Sequence, residues 1–372
     1  MPFQYRSAFL GGVFSFVAVL PAAVSAEITI GFAGPLSGSV ALNGEQMDVG
    51  AQRAVADLNA AGGVLGQTVK LISADDACDV DQAVAVAKRL VAAKVSVVIG
   101  HLCSRTTIAA SDVYDEAGVL VISPASTNPL VTDRGLPTIF RTIGRDDDQA
   151  AVAAEFLMSE FPDKSIALLH DGNTYGRGLA EGVKAALNTN GVAEVLFAEF
   201  AADQVNYATT VERLVAAKAD VVYATSNAVN DIALMIRQFK AAQPGAILVS
   251  ADVMASDGFL FIAGEAAAGT YFTFGPDARA NPAAASVVET FRDEEAYEPE
   301  GYTLYSYAAV QAWALAAEAA RGVETQDVAA QLKASSFNTV IGDISFDDKG
   351  DVTGVENFIM YVWGEEQYAP VQ

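Results

Sequence analysis

Short uninterrupted apolar runs alternate along this chain with longer stretches whose apolar positions recur every three or four residues. The short runs are predicted strands: Ile28–Ala33, Val69–Ser73, Val95–Gly100, Val119–Ile122, Ile166–His170, Val195–Glu199, Val221–Ala224 and Ile247–Ser250. Between them Gln46–Ala61, Asp81–Ala93, Tyr175–Asn190 and Ala228–Ala241 read as amphipathic or Ala-rich helices. Strands lacking polar alternation are buried on both faces, and strand–helix–strand order makes their sheets parallel. The predicted fold class is α/β.

One hexapeptide occurs twice. Arg89–Lys94 (RLVAAK) returns as Arg213–Lys218, and each copy runs through two residues into a Val-Val pair. Each copy then leads through a helix to another apolar strand, which predicts two similar, doubly wound lobes. Ligands of open parallel sheets bind beyond the carboxyl ends of the strands. Those ends are Gly100–Ser104 and Ser123–Thr127 in lobe one, and His170–Tyr175, Ala224–Ala228 and Ser250–Asp252 in lobe two. Two such rims facing each other form a cleft that closes by hinge motion.

Composition narrows the classes. A chain of 372 residues exceeds one ordinary core and suits two domains. With 46 acidic against 22 basic residues, its net charge of −24 repels phosphate backbones and argues against a nucleic-acid partner. Two His and two Cys are too few for a zinc ribbon or an iron–sulfur scaffold, so neither metal nor cofactor is expected. Residues 1–26 read as a cleaved secretory signal: Arg6, the apolar Ala8–Leu20 and the small-x-small Val24-Ser25-Ala26. The mature chain would begin at Glu27, and losing Arg6 would leave a charge of −25. No Cys precedes Cys78 to take a lipid, and Glu318 interrupts the Ala-rich Ala308–Ala320 before it reaches membrane-spanning length. A soluble exported protein is expected. Export favours a disulfide between Cys78 and Cys103, which follow strands that would be parallel neighbours; a reactive Cys103 is the alternative.

The two rims differ in chemistry. In lobe one, Ser104 stands at a helix start, and Pro124–Thr127 adds hydroxyl and main-chain groups. Hydroxyls, free N–H groups and a positive helix end can hold a carboxylate without a cationic side chain. Lobe two offers Asp252 at a strand end and Tyr175 at a helix start, so an ammonium group could be held opposite. Together the rims describe a receptor for a small zwitterion. Other patterns read as structural. The Gly176–Gly182 run is GxGxxxG rather than a dinucleotide fingerprint, and Asp75, Asp76 and Asp79 lack calcium-loop spacing. Asp146-Asp147-Asp148 reads as charge and cap for a helix beginning near Gln149. His101 beside Cys103 lacks a third orienting group for thiol catalysis. Trp313 and Trp363 read as packing residues.

Six segments in order carry a resemblance: Ala33–Gly38 (AGPLSG), Asp75–Asp79, Gly100–Ser104, Ser123–Thr127, His170-Asp171 with Tyr175–Gly178, and Phe346-Asp347 with Lys349–Asp351. Over Glu27–Trp363 the chain resembles the periplasmic leucine/isoleucine/valine-binding proteins, receptors of ABC importers with the type I two-lobe fold. The resemblance implies a disulfide at Cys78–Cys103 and carboxylate contacts at Ser104 and Thr127. It places the Ala125 carbonyl and Thr127 hydroxyl near the ammonium, a lobe-two tyrosine at Tyr175, and the ammonium-binding acid at Asp252, one methylene shorter than the usual Glu. It also implies three crossings between the lobes, near Gly144–Asp147, Gly275–Pro276 and Gly354–Asn357. Lobe one would then comprise residues 27–145 and 276–355, and lobe two residues 146–275 and 356–372. Two positions depart from the pattern: pocket aromatics are replaced by Asn43 and Asn227, leaving Tyr302 as the aromatic wall. Amides remove apolar wall and add groups that need hydrogen bonds. The resemblance therefore implies a monomeric, non-enzymatic receptor that delivers an amino acid, branched-chain or related, to an ABC permease. The alternatives are a carboxylate or amide ligand without an α-amino group, and a hydrolase using Cys103 or Ser104 with His101 or His170.

Overall fold

The computed structural model describes residues 1, 2, 4 and 27–371; the predicted signal segment falls almost wholly outside the described residues. Five parallel strands form the first sheet in the order β2-β1-β3-β4-β5: β1 (Glu27–Gly34), β2 (Thr68–Asp75), β3 (Val97–Gly100), β4 (Leu120–Ser123) and β5 (Ile139–Arg141). The second sheet repeats that order as β7-β6-β8-β9-β10, again parallel: β6 (Ile166–His170), β7 (Leu196–Glu199), β8 (Val221–Thr225), β9 (Ile247–Ser250) and β10 (Tyr271–Phe274). A small sheet of β11 (Phe337–Thr339), β12 (Gly342–Phe346) and β13 (Val352–Thr353) follows, and then antiparallel β14 (Ile359–Trp363) and β15 (Tyr368–Pro370) extend the second sheet. The shared strand order is the topological counterpart of the repeated hexapeptide. In both copies the lysine takes a left-handed φ, +59° at Lys94 and +56° at Lys218, and ends the helix in the same way before its Val-Val strand.

Both faces of β1 are covered, as its apolar run requires. Ile28, Ile30 and Phe32 face the helices Ala41–Ala60 and Thr303–Ala320, while Ala33 joins Val86, Leu90 and Tyr114 on the other side. Those two helices cross closely at Gly50, where a Cβ would lie 2.0 Å from the Thr303 carbonyl oxygen. The chain leaves the first sheet after β5, and helix Asp146–Glu160 packs on β10 and β14. It returns after β10 for Thr303–Ala320 to pack on β3 and β4, and departs again after β13. Two of these crossings touch: a Cβ at Gly144 would lie 2.7 Å from Asn357 Cβ.

Cys78 and Cys103 are joined by a disulfide with Cα atoms 5.7 Å apart. Their strands are not the parallel neighbours that the sequence had suggested, because β1 lies between β2 and β3. The bridge is reached instead by the loop after β2, which folds over the end of β1; Asp76 N–H donates to the Gly34 carbonyl at 3.0 Å. No described helix is long and apolar enough to cross a membrane.

Candidate functional site

The strand ends of both sheets meet, and the rim residues there are buried. Asn43, Ser104, Thr127, Tyr175, Asp252 and Tyr302 are each at most 3% exposed, Ala125 4% and Asn227 7%. Contacts from one rim to the other include Asn128 Nδ2 to the Thr174 carbonyl (3.2 Å), Asn43 Nδ2 to the Val253 carbonyl (3.4 Å) and Gln46 Nε2 to the Ala255 carbonyl (3.3 Å). This is a closed cleft.

On the first rim, Cys103 rather than Ser104 occupies the cap position of helix Ser104–Ala117. Ser104 is therefore the first helical residue, and its Oγ accepts from the Asn128 N–H at 3.3 Å. That bond joins the ends of β3 and β4, leaving Ser104 at the positive helix terminus. The loop Ser123–Asn128 is held from behind. Ser123 and Ser126 hydroxyls donate to the His101 carbonyl at 2.8 and 3.1 Å. The fully buried Arg141 donates to the carbonyls of Ser126 and Asn128 at 3.1 and 3.0 Å, straddling Thr127. Asp351 accepts from Arg141 at 2.5 Å and from Arg145 at 2.9 Å, so the network reaches the first and last crossings of the chain.

Asp252 is the centre of the second rim. Its Oδ1 accepts from the Tyr175 hydroxyl and from Gln149 Nε2 (3.0 Å), and its Oδ2 accepts from the Tyr302 hydroxyl at 2.5 Å. Burial raises the Asp252 pKa, and these three donors pull it back. Tyr302 thus does more than form an aromatic wall: its ring packs edge-on against Phe274 while its hydroxyl orients the acid.

Asp146 is the residue that sequence reasoning misplaced. The helix begins at Asp146 itself, its side chain makes no cap, and the carboxyl group is buried behind Thr127, whose carbonyl accepts the Asp146 N–H at 2.9 Å. The Thr127 hydroxyl lies close enough to favour the charged form, yet neither carboxyl oxygen meets a donor in hydrogen-bond geometry. Burial, with help from the Asp252 charge, pushes its pKa up to about 8. Tyr223, Gln149 and Arg141 were likewise not singled out. The Tyr223 hydroxyl is buried without a partner, and the charges of Asp146 and Asp252 both act on it. An acid at a helix start matches the helix dipole, so only the crossing between lobes reveals that Asp146 is buried.

The remaining patterns resolve structurally. Asp75 accepts from the N–H groups of Leu36 and Ala77, and Asp79 caps the following helix. Among the described residues no group of three His, Cys, Asp or Glu side chains is placed to hold a metal ion. His101 does have an orienting acid, contrary to the sequence reading: Asp76 Oδ2 lies 2.5 Å from its Nδ1, with Tyr114 on its other nitrogen at 3.2 Å. All three groups are fully buried, and the Cys103 thiol is spent in the disulfide. The glycines of the GxGxxxG run allow close packing, Gly182 against Ala150 and Gly178 against Asn128.

Comparison with known proteins agrees with this architecture. The sequence profile of the periplasmic binding protein family matches residues 27–367. An amino acid binding protein of Pseudomonas aeruginosa is 41% identical over 365 residues, 97% of each chain. A Leu/Ile/Val-binding protein homolog of Brucella suis is 40% identical over 96% of each. Among solved structures, a branched-chain amino acid transporter substrate-binding protein of Streptococcus pneumoniae, in complex with isoleucine, superposes with a TM-score of 0.85 at 25% identity, covering 92% of this chain and 98% of its own. A leucine-binding protein of Thermotoga maritima shares the fold with a TM-score of 0.86 at 24% identity, covering 93% of this chain and 98% of its own. With two lobes of matching topology closed over a buried polar cleft, this chain belongs to the periplasmic binding protein family, the solute-binding receptors of ABC importers.

Proposed function

We propose that the chain is an amino-acid receptor: it closes its two lobes on one small α-amino acid and presents it to an ABC permease. The observation that carries this reading is the carboxyl group of Asp146, buried beside the hydroxyl rim with only the Thr127 hydroxyl near it and no hydrogen bond of good geometry on either oxygen. A buried acid of that kind is complemented by an ammonium group. Ser104, Thr127 and the start of helix Ser104–Ala117 hold the ligand carboxylate. Asp146, with Asp252 behind it and the Ala125 carbonyl and Thr127 hydroxyl beside it, holds the ammonium. Tyr175 and Tyr302 keep Asp252 in place.

In this reading residues 27–145 and 276–355 form lobe one, and 146–275 and 356–372 form lobe two. Residues 1–26 are removed on export, and the receptor acts as a periplasmic monomer without catalysis. The relatives' printed names, amino acid binding and Leu/Ile/Val-binding, support an amino-acid ligand. The test is calorimetry on the mature protein stripped by unfolding and refolding, titrated with a panel of amino acids. Ser104→Ala, Asp146→Ala and Asp252→Ala should each weaken the best ligand by at least about tenfold, because each leaves a charged ligand group underpaired in a dry cleft. A variant within twofold of wild type would remove that residue from the site. Binding only to carboxylates or amides without an amino group would refute the amino-acid reading.

A further inference from the structure

The part of the cleft beside the head group is polar. Asn43 stands in the first turn of helix Ala41–Ala60 after β1, next to the β3 end that carries Ser104. Asn227 follows β8, between the ends of β6 and β9 that carry Tyr175 and Asp252. The two amides therefore flank the head site from opposite rims, and Asn43 reaches across to the carbonyl of Val253, the residue after Asp252. Both side chains are buried, yet Asn43 Oδ1 and Asn227 Nδ2 have no hydrogen-bond partner. A buried amide left in that state is unfavourable, and an aliphatic side chain laid against it satisfies nothing.

Charge limits what could satisfy them. Asp171 beside Asn227 is already engaged by the N–H groups of Asn173 and Asn227, so it offers little to a cationic tail. The nearby Arg105 gives its Nε and one terminal nitrogen to the Cys78 carbonyl, and its charge already acts on Asp171, which leaves less of it for an anionic tail. What remains is one acceptor on one rim and one donor on the other. Exchanging O and N in either amide alters which side donates, not the need for polar partners.

We infer that the ligand is an α-amino acid with a short, uncharged polar side chain, a hydroxyl or carboxamide, preferred over branched aliphatic ones. This rests on the amino-acid reading of the head site given above. The experiment is calorimetry of the stripped mature protein with L-serine, L-threonine, L-asparagine, L-glutamine, L-leucine and L-alanine, repeated on an Asn43→Leu/Asn227→Leu variant. At least one hydroxyl or carboxamide amino acid should bind tenfold or more tightly than leucine, and the variant should reverse that order. Affinity ratios are compared within each protein, because losing the Asn43–Val253 closure contact weakens every ligand alike, and an unfolding transition close to that of the wild type verifies that the variant folds. Leucine binding wild type as tightly as the best polar amino acid would overturn the inference and leave the amino-acid reading standing. So would an unchanged order of preference in the folded variant. If none of the six binds wild type, this inference fails, and the amino-acid reading fails with it when only carboxylates or amides without an amino group bind.

Discussion

At the scale of single residues, Asp146 makes the cleft sensitive to pH. Its pKa in the folded protein, about 8, lies above its ordinary value of 3.8. The folded state then binds more protons than the unfolded state between those values, so stability falls as pH rises through that window. The contribution is complete below pH 4 and lost by about pH 8. An ammonium group arriving beside the carboxyl favours its charged form and lowers its pKa. Ligand binding near pH 7 should therefore release a proton. Titrations in buffers of different ionisation enthalpy should give a binding heat that depends on the buffer. In Asp146→Asn that dependence should vanish, together with the downward slope of stability between pH 5 and 8. Equal proton release by wild type and variant would move the titrating group elsewhere. Asp252 contributes to the same field, but three protein donors hold it, so removing it disturbs Tyr175 and Tyr302 as well as the ligand.

At the scale of elements, the start of helix Ser104–Ala117 is fixed by several bonds from the loop after β2. The disulfide holds Cys103, Arg105 donates to the Cys78 carbonyl at 3.0 and 2.9 Å, and Asp76 meets His101. The Cys78→Ser/Cys103→Ser variant should lose about 3.5 kcal/mol of stability on the chain-entropy estimate for a loop of this length. Denaturant unfolding measures the loss. Arg141 has a comparable role behind β4. Arg141→Met leaves Asp351 buried with Arg145 and the Thr132 hydroxyl as its remaining partners and should cost about 3 kcal/mol. The double variant Arg141→Met/Asp351→Leu should recover much of that loss. No recovery would mean that the guanidinium acts mainly by holding the Ser126 and Asn128 carbonyls. Elements of this kind were unequally legible in the sequence. The eight predicted strands all form; in six of them a short apolar run buried on both faces needs no distant partner to be recognised, while β2 and β7 are only partly buried and were found from the strand–helix alternation. β5 and β10 were missed: one has three residues ending in a buried arginine, and the other mixes threonine with aromatics. The short antiparallel strands after residue 336 depend on pairing rather than on local pattern. In the cleft, Ser104, Thr127, Tyr175 and Asp252 could be grouped because each follows a predicted strand. Asp146 could not, since its burial arises where the chain passes between lobes.

At the scale of the whole molecule, closure is what brings the polar groups of the proposed site together. The first rim touches the second through Asn128, Asn43 and Gln46, and through Glu300, whose carboxylate accepts the Asp257 N–H at 2.9 Å on both oxygens. None of these contacts is needed to build either sheet, so they can separate while both cores stay folded. Gly258 lies on this seam: a Cβ there would approach Leu42 Cδ1 to 2.7 Å across the cleft. One extra carbon can be absorbed by the flexible end of a leucine, but an indole cannot. Gly258→Trp should therefore hold the lobes apart, with an unfolding midpoint close to that of the wild type. Small-angle scattering should show the wild type contracting when ligand is added and the variant unchanged, and the variant should bind at least tenfold more weakly. The weakening follows from dielectric as much as from lost contacts: an ammonium facing Asp146 in an open, wet cleft gains only a small part of the energy it gains when water is excluded. If Gly258→Trp binds with wild-type affinity and contracts normally, the seam at Leu42 is not where the lobes meet, and closure must be carried by the contacts of Asn128 and Glu300.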